Sequence, residues 1–192
     1  DFEATMEREI ALFYQEQEAL GDGGIRNLSE AKGPLERGIG KLLCRIYGPF
    51  FFYKPHHSYW TVIAAARRML RYGYTPHTLQ MYSNLMMLLG EVRRDYRTSY
   101  EAARTAMQLA EKHQYREVIY SMYCMFALHS CHWFEDISNG IPYAKESVRG
   151  NIQMGDFEYA SYGYYGLIMA SVDHSSHVDE LWHEVEPALK FA

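Results

Sequence analysis

Nowhere does this chain stay apolar for the roughly 20 residues that cross a bilayer. Its first residues, Asp1-Phe2-Glu3-Ala4-Thr5, hold neither a basic leader nor an apolar signal core. These two absences argue against membrane insertion and secretion and predict a cytoplasmic location. Cysteine is scarce, and Cys44, Cys124 and Cys131 cannot make an even-numbered disulfide framework, which agrees with a reducing compartment. Basic residues run no further than the pairs Arg67-Arg68 and Arg93-Arg94, and 19 of them against 24 acidic residues leave a formal charge of −5. That balance gives no electrostatic footprint for nucleic acid, so none is expected among the partners. Strict apolar alternation bounded by turns is missing as well, and strands have no claim. The chain also lacks an initiating methionine, which leads to the expectation that it is part of a longer polypeptide.

What is present is material for a core: 192 residues, 48% apolar and 15% aromatic, far too hydrophobic for a disordered segment. Helical periodicity runs from end to end, with glycine and proline falling between the periodic segments. The first predicted helix covers about Glu3 to Leu20 and stops at Gly21-Asp22-Gly23-Gly24. A second runs from Pro34, suited to a first turn, to Tyr47. Gly48-Pro49-Phe50-Phe51-Phe52-Tyr53-Lys54-Pro55 brackets an aromatic run between two prolines and reads as a packed connector buried against neighbouring helices. Hairpins are predicted beyond it: Ser58 to Tyr72 with Pro76 to Gly90, Tyr96 to Lys112 with Tyr115 to Cys131, and Ile141 to Met154 with Asp156 to Val172. Val178 to Leu189 begins a further repeat or caps the array. The organisation expected is therefore one helical-repeat domain over 1–192, with N-terminal helices and connector (1–55), three hairpins (56–172) and a final element (173–192).

Tyr82, Tyr123 and Tyr162 stand 41 and 39 residues apart. Each is followed by a small residue one place on (Ser83, Cys124, Gly163) and another eight places on (Gly90, Cys131, Ala170). A self-similar period near 40 residues predicts an all-α superhelix, a TPR-like solenoid of about four helical hairpins. The two small residues of each set lie two helical turns apart on nearly one face, where a neighbouring helix can approach closely. Tyrosine suits the column because it joins a large apolar body to a hydroxyl that can find a partner at the edge.

Several phrases between about Lys41 and Ala170 carry a family likeness. They are Lys41-Leu42-Leu43 before the Pro49-Phe50 connector, Tyr72-Gly73-Tyr74-Thr75-Pro76 ahead of Tyr82, Ser99 to Leu109, His132-Trp133, and Gly155-Asp156-Phe157-Glu158-Tyr159-Ala160-Ser161-Tyr162. In this order they resemble the helical repeat region of large signalling proteins that join a serine/threonine kinase, an AAA-type (STAND-like) ATPase, a helical array, a GAF domain and a sensor histidine kinase. The resemblance implies a regulatory, protein-interaction arm whose partners are the neighbouring ATPase and GAF or kinase domains, and possibly another protein. No catalytic domain of that family is found in these residues, so the implied kinase and ATPase activities belong to a parent polypeptide.

Candidate chemistry is sparse, and no catalytic, cofactor-binding or metal residue is assigned. Gly33 to Leu42 resembles a phosphate-binding loop only superficially: Ile39 follows Gly38, Leu42 follows Lys41, and no hydroxyl is placed for magnesium. Cys124, His129, Cys131 and His132 cluster in sequence, but both cysteines fall in the small-residue columns and the spacing departs from zinc patterns. His183-Glu184 begins a zincin motif that lacks its second histidine, and Asp173, His174, His177 and Asp179 read as a solvated turn. Glu16, Glu18, Glu91, Asp95, Glu101, Glu111 and Glu117 read as the solvated face of helices. The alternatives left open are a ligand-binding or enzymatic fragment with a pocket on a concave face, and a free-standing TPR-like adaptor.

Overall fold

Each helix boundary in this chain has a local cause, and the turns at Arg94-Asp95 and Gly155-Asp156 show it best. In both, a left-handed residue (Arg94 φ 55°, Gly155 φ 74°) ends one helix, and the aspartate after it accepts the backbone N–H of the third residue on, Thr98 or Tyr159, at 3.1 Å. The aspartates thereby satisfy donors that a helix start leaves open. In the computed structural model, which describes residues 2–192, the regular elements are helical. They are α1 (Phe2–Glu18), a glycine-rich 3₁₀ turn (Gly21–Asn27), α2 (Pro34–Tyr53), α3 (Pro55–Tyr72), α4 (Pro76–Ser83), a π-helix (Met86–Arg93) and α5 (Tyr96–Lys112). There follow α6 (Arg116–His129), short 3₁₀ turns at Cys131–Trp133 and Ile137–Asn139, α7 (Gly140–Met154), α8 (Phe157–His174) and α9 (Val178–Phe191). The one extended pairing among the described residues is an isolated bridge between Glu30 and Tyr74. The fold is all-α.

Contacts divide the chain into two compact units, Asp1–Val118 and Ile119–Ala192. In the first, α2 packs on α3, α3 on α4, α4 on α5, and α1 lies on α3. Its core holds Ile10, Phe13, Ile63, Met69, Leu79 and Leu88, all essentially inaccessible to solvent. Fully burying one such side chain is worth about 1.5–3 kcal/mol. Thr75 and Thr78 form a reciprocal capping box at the start of α4, with Pro76 in its first turn. In the second unit, α7 packs along α8, and α8 meets α9.

Two sequence expectations are corrected here. The segment from Gly48 is not a packed connector: α2 continues through Pro49 to Tyr53, only Lys54 intervenes, and Pro55 opens α3. Pro49 and Arg45, the residue whose carbonyl it leaves without an N–H, are both exposed. There the missing helix bond costs least. Phe51, Phe52 and Tyr53 are exposed rather than buried. The predicted helix Pro76 to Gly90 is also interrupted: α4 ends at Ser83 and a π-helix replaces its second half. Asn84 sits at that change, 1% exposed, with neither side-chain amide atom bonded to a described residue. Such a group costs about 1–3 kcal/mol.

All six residues of the small columns are buried: Ser83, Gly90, Cys124, Cys131, Gly163 and Ala170. Gly163 shows why size matters. A Cβ there would lie 3.0 Å from Val148 Cγ2, 3.2 Å from Ser147 Oγ and 3.2 Å from the Val148 backbone nitrogen. Gly163→Val is expected to lower stability by about 1–3 kcal/mol through overpacking. Urea unfolding would read this as a lower midpoint at unchanged slope; an unaltered midpoint would mean that α7 and α8 do not depend on this approach.

Candidate functional site

The first unit holds a cavity of about 440 Å³ between α1, the glycine-rich turn, α4 and α5. Its walls include Tyr14 and Gln17 of α1, Gly21 to Arg26 of the turn, Tyr82 of α4, and Thr98, Glu101 and Thr105 of α5. The volume lies within the 300–1,000 Å³ that small-ligand pockets occupy. The turn can line it because Gly21 (φ 67°) and Gly24 (φ 51°) take backbone angles that side chains resist. Ile25 anchors the turn from beneath, 3% exposed.

Polar groups around the cavity are held in place. The Tyr14 hydroxyl donates to Asp95 Oδ2 at 2.6 Å, and Asp95 is also the N-cap of α5. Burial raises the Tyr14 phenol above its ordinary value, and the Asp95 hydrogen bond and charge raise it further. Burial pushes up Asp95 as well, but the bonds from Tyr14 and Thr98 outweigh that and hold its carboxyl below the usual range. Tyr82, 2% exposed, is raised by burial. Both tyrosines therefore stay protonated at neutral pH and can act as hydrogen-bond donors rather than bases. Arg26 Nη2 donates to Gln108 Oε1 at 2.9 Å, and Glu101 faces Arg97 at 3.6 Å. The arrangement is a cavity with a mixed polar and apolar lining.

The residues singled out in the sequence are dispersed. Gly33 is the N-cap of α2 and Pro34 opens it, so Gly33 to Leu42 is a helix start rather than a phosphate loop. His129 ends α6, whereas Cys131 and His132 lie in the following 3₁₀ turn, so the two histidines do not share one helix face. The Cys131 thiol donates to the Asp136 carbonyl at 3.8 Å. Burial pushes the Cys124 thiol up to about 12, against a smaller opposing effect of Ser147. Asp173, His174, His177, Asp179 and His183 are all exposed around the α8–α9 turn. Tyr123 packs on Tyr120 and Tyr143, and the Tyr162 hydroxyl reaches the Glu158 carboxylate at 3.4 Å.

The carboxylates are not all a solvated face. Glu16 takes a two-bond pair from Arg67 at 2.8 and 3.0 Å and a further bond from Arg71 at 2.7 Å. Glu91 is exposed as expected, and it accepts the Tyr59 hydroxyl at 2.7 Å. Sequence reading missed these because each partner lies far along the chain. It missed the cavity for a similar reason: Gly21 to Gly24 stood out as a helix stop, and nothing local links that stop to Tyr82.

His129 carries a pH-dependent cost. Burial lowers it to about 4, with the His132 charge adding a smaller push. A histidine whose folded value lies below its unfolded one binds fewer protons when folded, so stability falls as pH drops from about 6.5 toward 4. His129→Gln is expected to flatten the stability profile across that window, as read by urea midpoints at stepped pH. An identical slope in the two proteins would show that His129 is not the group responsible.

Comparison with protein-family models, with curated proteins and with solved structures finds no match.

Proposed function

We propose that this chain is a TPR-like helical-repeat scaffold that serves as a non-catalytic regulatory and protein-interaction segment of a cytoplasmic multidomain kinase and ATPase signalling protein. The observation that carries the repeat reading is the burial of all six small residues at the two columns set by Tyr82, Tyr123 and Tyr162. Stacked hairpins with a period near 40 residues would bury small residues at such columns, and this agreement supports the reading. The signalling context rests on the ordered phrases from Lys41 to Tyr162, with the ATPase and GAF or kinase modules as the partners they imply.

A second reading has its own observation. The 440 Å³ cavity beside Tyr14 and Tyr82 suits a small-molecule site, as a ligand-binding or enzymatic fragment would need. Titration calorimetry of the purified chain with magnesium ATP separates the two. The scaffold reading expects no saturable heat, and saturable binding in the micromolar range would favour the pocket over a purely interactive role.

A further inference from the structure

The corner between α2 and α3 presents an aromatic surface to solvent. Residues 51–57, Phe-Phe-Tyr-Lys-Pro-His-His, are all exposed, with Phe52 at 61% and Tyr53 at 85%. Trp60 is 38% exposed one helical turn further on. An apolar patch left open in this way marks a contact surface. Successive helical residues point about 100° apart, so the exposed Phe51, Phe52 and Tyr53 look in three directions around the end of α2, whereas Phe50 is half-buried against His57. A headgroup layer that the corner enters can cover all three at once.

The same surface continues along α2. Helical spacing puts Leu35, Leu42 and Tyr53 on one line, with Lys41, Arg45 and Phe52 about 80–120° round the helix to one side of it and Leu43 and Tyr47 about as far round to the other. Leu35 and Leu42 are 65% and 60% exposed, whereas Leu43 and Tyr47, across the helix from Lys41 and Arg45, are buried. The charge is one-sided too. Residues 37–90 contain no aspartate or glutamate, although the chain as a whole carries −5. Glu36, at the start of α2, is held by Arg68 through bonds of 2.6 and 2.7 Å. Lys41, Arg45 and Lys54 are exposed and form no ion pair with a described residue.

We propose that the outward face of α2 and its corner with α3 dock on an anionic lipid surface. The leucines and aromatic rings enter the headgroup boundary, where tyrosine and tryptophan rings are favoured, and Lys41, Arg45 and Lys54 meet the negative headgroups. This is peripheral contact and needs no spanning segment; no helix among the described residues is long and apolar enough to cross a membrane. It stands independently of the kinase and ATPase context.

Sedimentation with vesicles tests it, comparing phosphatidylcholine containing phosphatidylserine with phosphatidylcholine alone. The chain is expected to sediment with the mixed vesicles, and added salt is expected to release it. The triple change Lys41→Gln, Arg45→Gln and Lys54→Gln should weaken binding on the order of a hundredfold. Phe52→Ser with Tyr53→Ser should weaken it at least tenfold, and both variants should keep wild-type helicity because the altered side chains are exposed. Should the double change disturb folding, Tyr53→Ser alone is expected to give a several-fold loss. Absence of sedimentation with mixed vesicles, or equal sedimentation of the triple variant, would overturn the proposal. So would vesicle-free self-association that Phe52→Ser with Tyr53→Ser abolishes, because the face would then belong to a second copy of the chain.

Discussion

Replacing Arg67 with alanine is expected to destabilise the chain by about 3–5 kcal/mol, the loss usual when one partner of a buried ion pair is removed. Arg67 has 8% of its side chain exposed and bonds to Glu9 and to Glu16, themselves 19% and 20% exposed. Alanine would leave two carboxylates of α1 facing the place where the guanidinium stood on α3. Arg71, 48% exposed, would compensate only Glu16 and only partly. Salt should change the loss little, because a pair this enclosed is weakly screened. The pH dependence has a definite sign. Burial opposes ionisation of Glu16, but the bonds and charges of Arg67 and Arg71 outweigh it and hold the carboxyl below its ordinary value. That contribution is present above the unfolded value and is lost as pH falls through the folded one. Denaturant midpoints should therefore fall less on acidification in Arg67→Ala than in wild type. A loss under about 1 kcal/mol, the size typical of exposed pairs, would mean that the network is solvated.

Gly73→Ala is expected to cost about as much for a different reason. Gly73 has φ 94° and ψ 163°, a region that only glycine occupies readily. Its missing Cβ would lie 2.4 Å from the Ser29 carbonyl oxygen and 3.2 Å from the Ala31 nitrogen. Those atoms belong to the bridge that ties residues 29–31 to the α3–α4 turn: Tyr74 N–H donates to Ser29 at 3.1 Å, and Ala31 N–H donates to Tyr74 at 2.8 Å. Alanine must either strain the backbone or part the bridge, for a total of about 3 kcal/mol or more. Gly48→Ala is the contrasting control. It lies inside α2 with no atom within 4 Å of an added Cβ. Alanine should be neutral there, or stabilising by up to about 1 kcal/mol. Matching losses at the two positions would show that Gly73 is not constrained by the bridge.

Boundaries and burial differ in how far they could be read from the residues. The stops at Gly21 and Gly155 and the starts at Pro34 and Pro76 follow from local chemistry, so they were legible. The burial of the small residues agrees with the spacing read from Tyr82, Tyr123 and Tyr162, but only Gly163 and Ala170 share one α-helix; Gly90 falls in the π-helix and Cys131 in a 3₁₀ turn, which the spacing did not show. Gly48 to Pro55 was misread because two prolines look like breakers, whereas one lies on an exposed helical face and the other in a first turn. The π-helix after Ser83 left no trace in the hydrophobic pattern, since Met86 to Gly90 are all buried whichever way the helix winds. Of the candidate site, the glycines and Tyr82 were each noticed for another reason. Their convergence depends on α1, α4 and α5 meeting in space, which no window of sequence contains.

The proposed role, a non-catalytic helical-repeat segment set between signalling modules, is tested by the coding sequence on either side of it. Reading the flanking frame is predicted to reveal an AAA-type ATPase module upstream of Asp1 and a GAF domain downstream of Ala192. An open reading frame that starts close to Asp1 and stops within a few codons of Ala192 would contradict it and leave a free-standing adaptor.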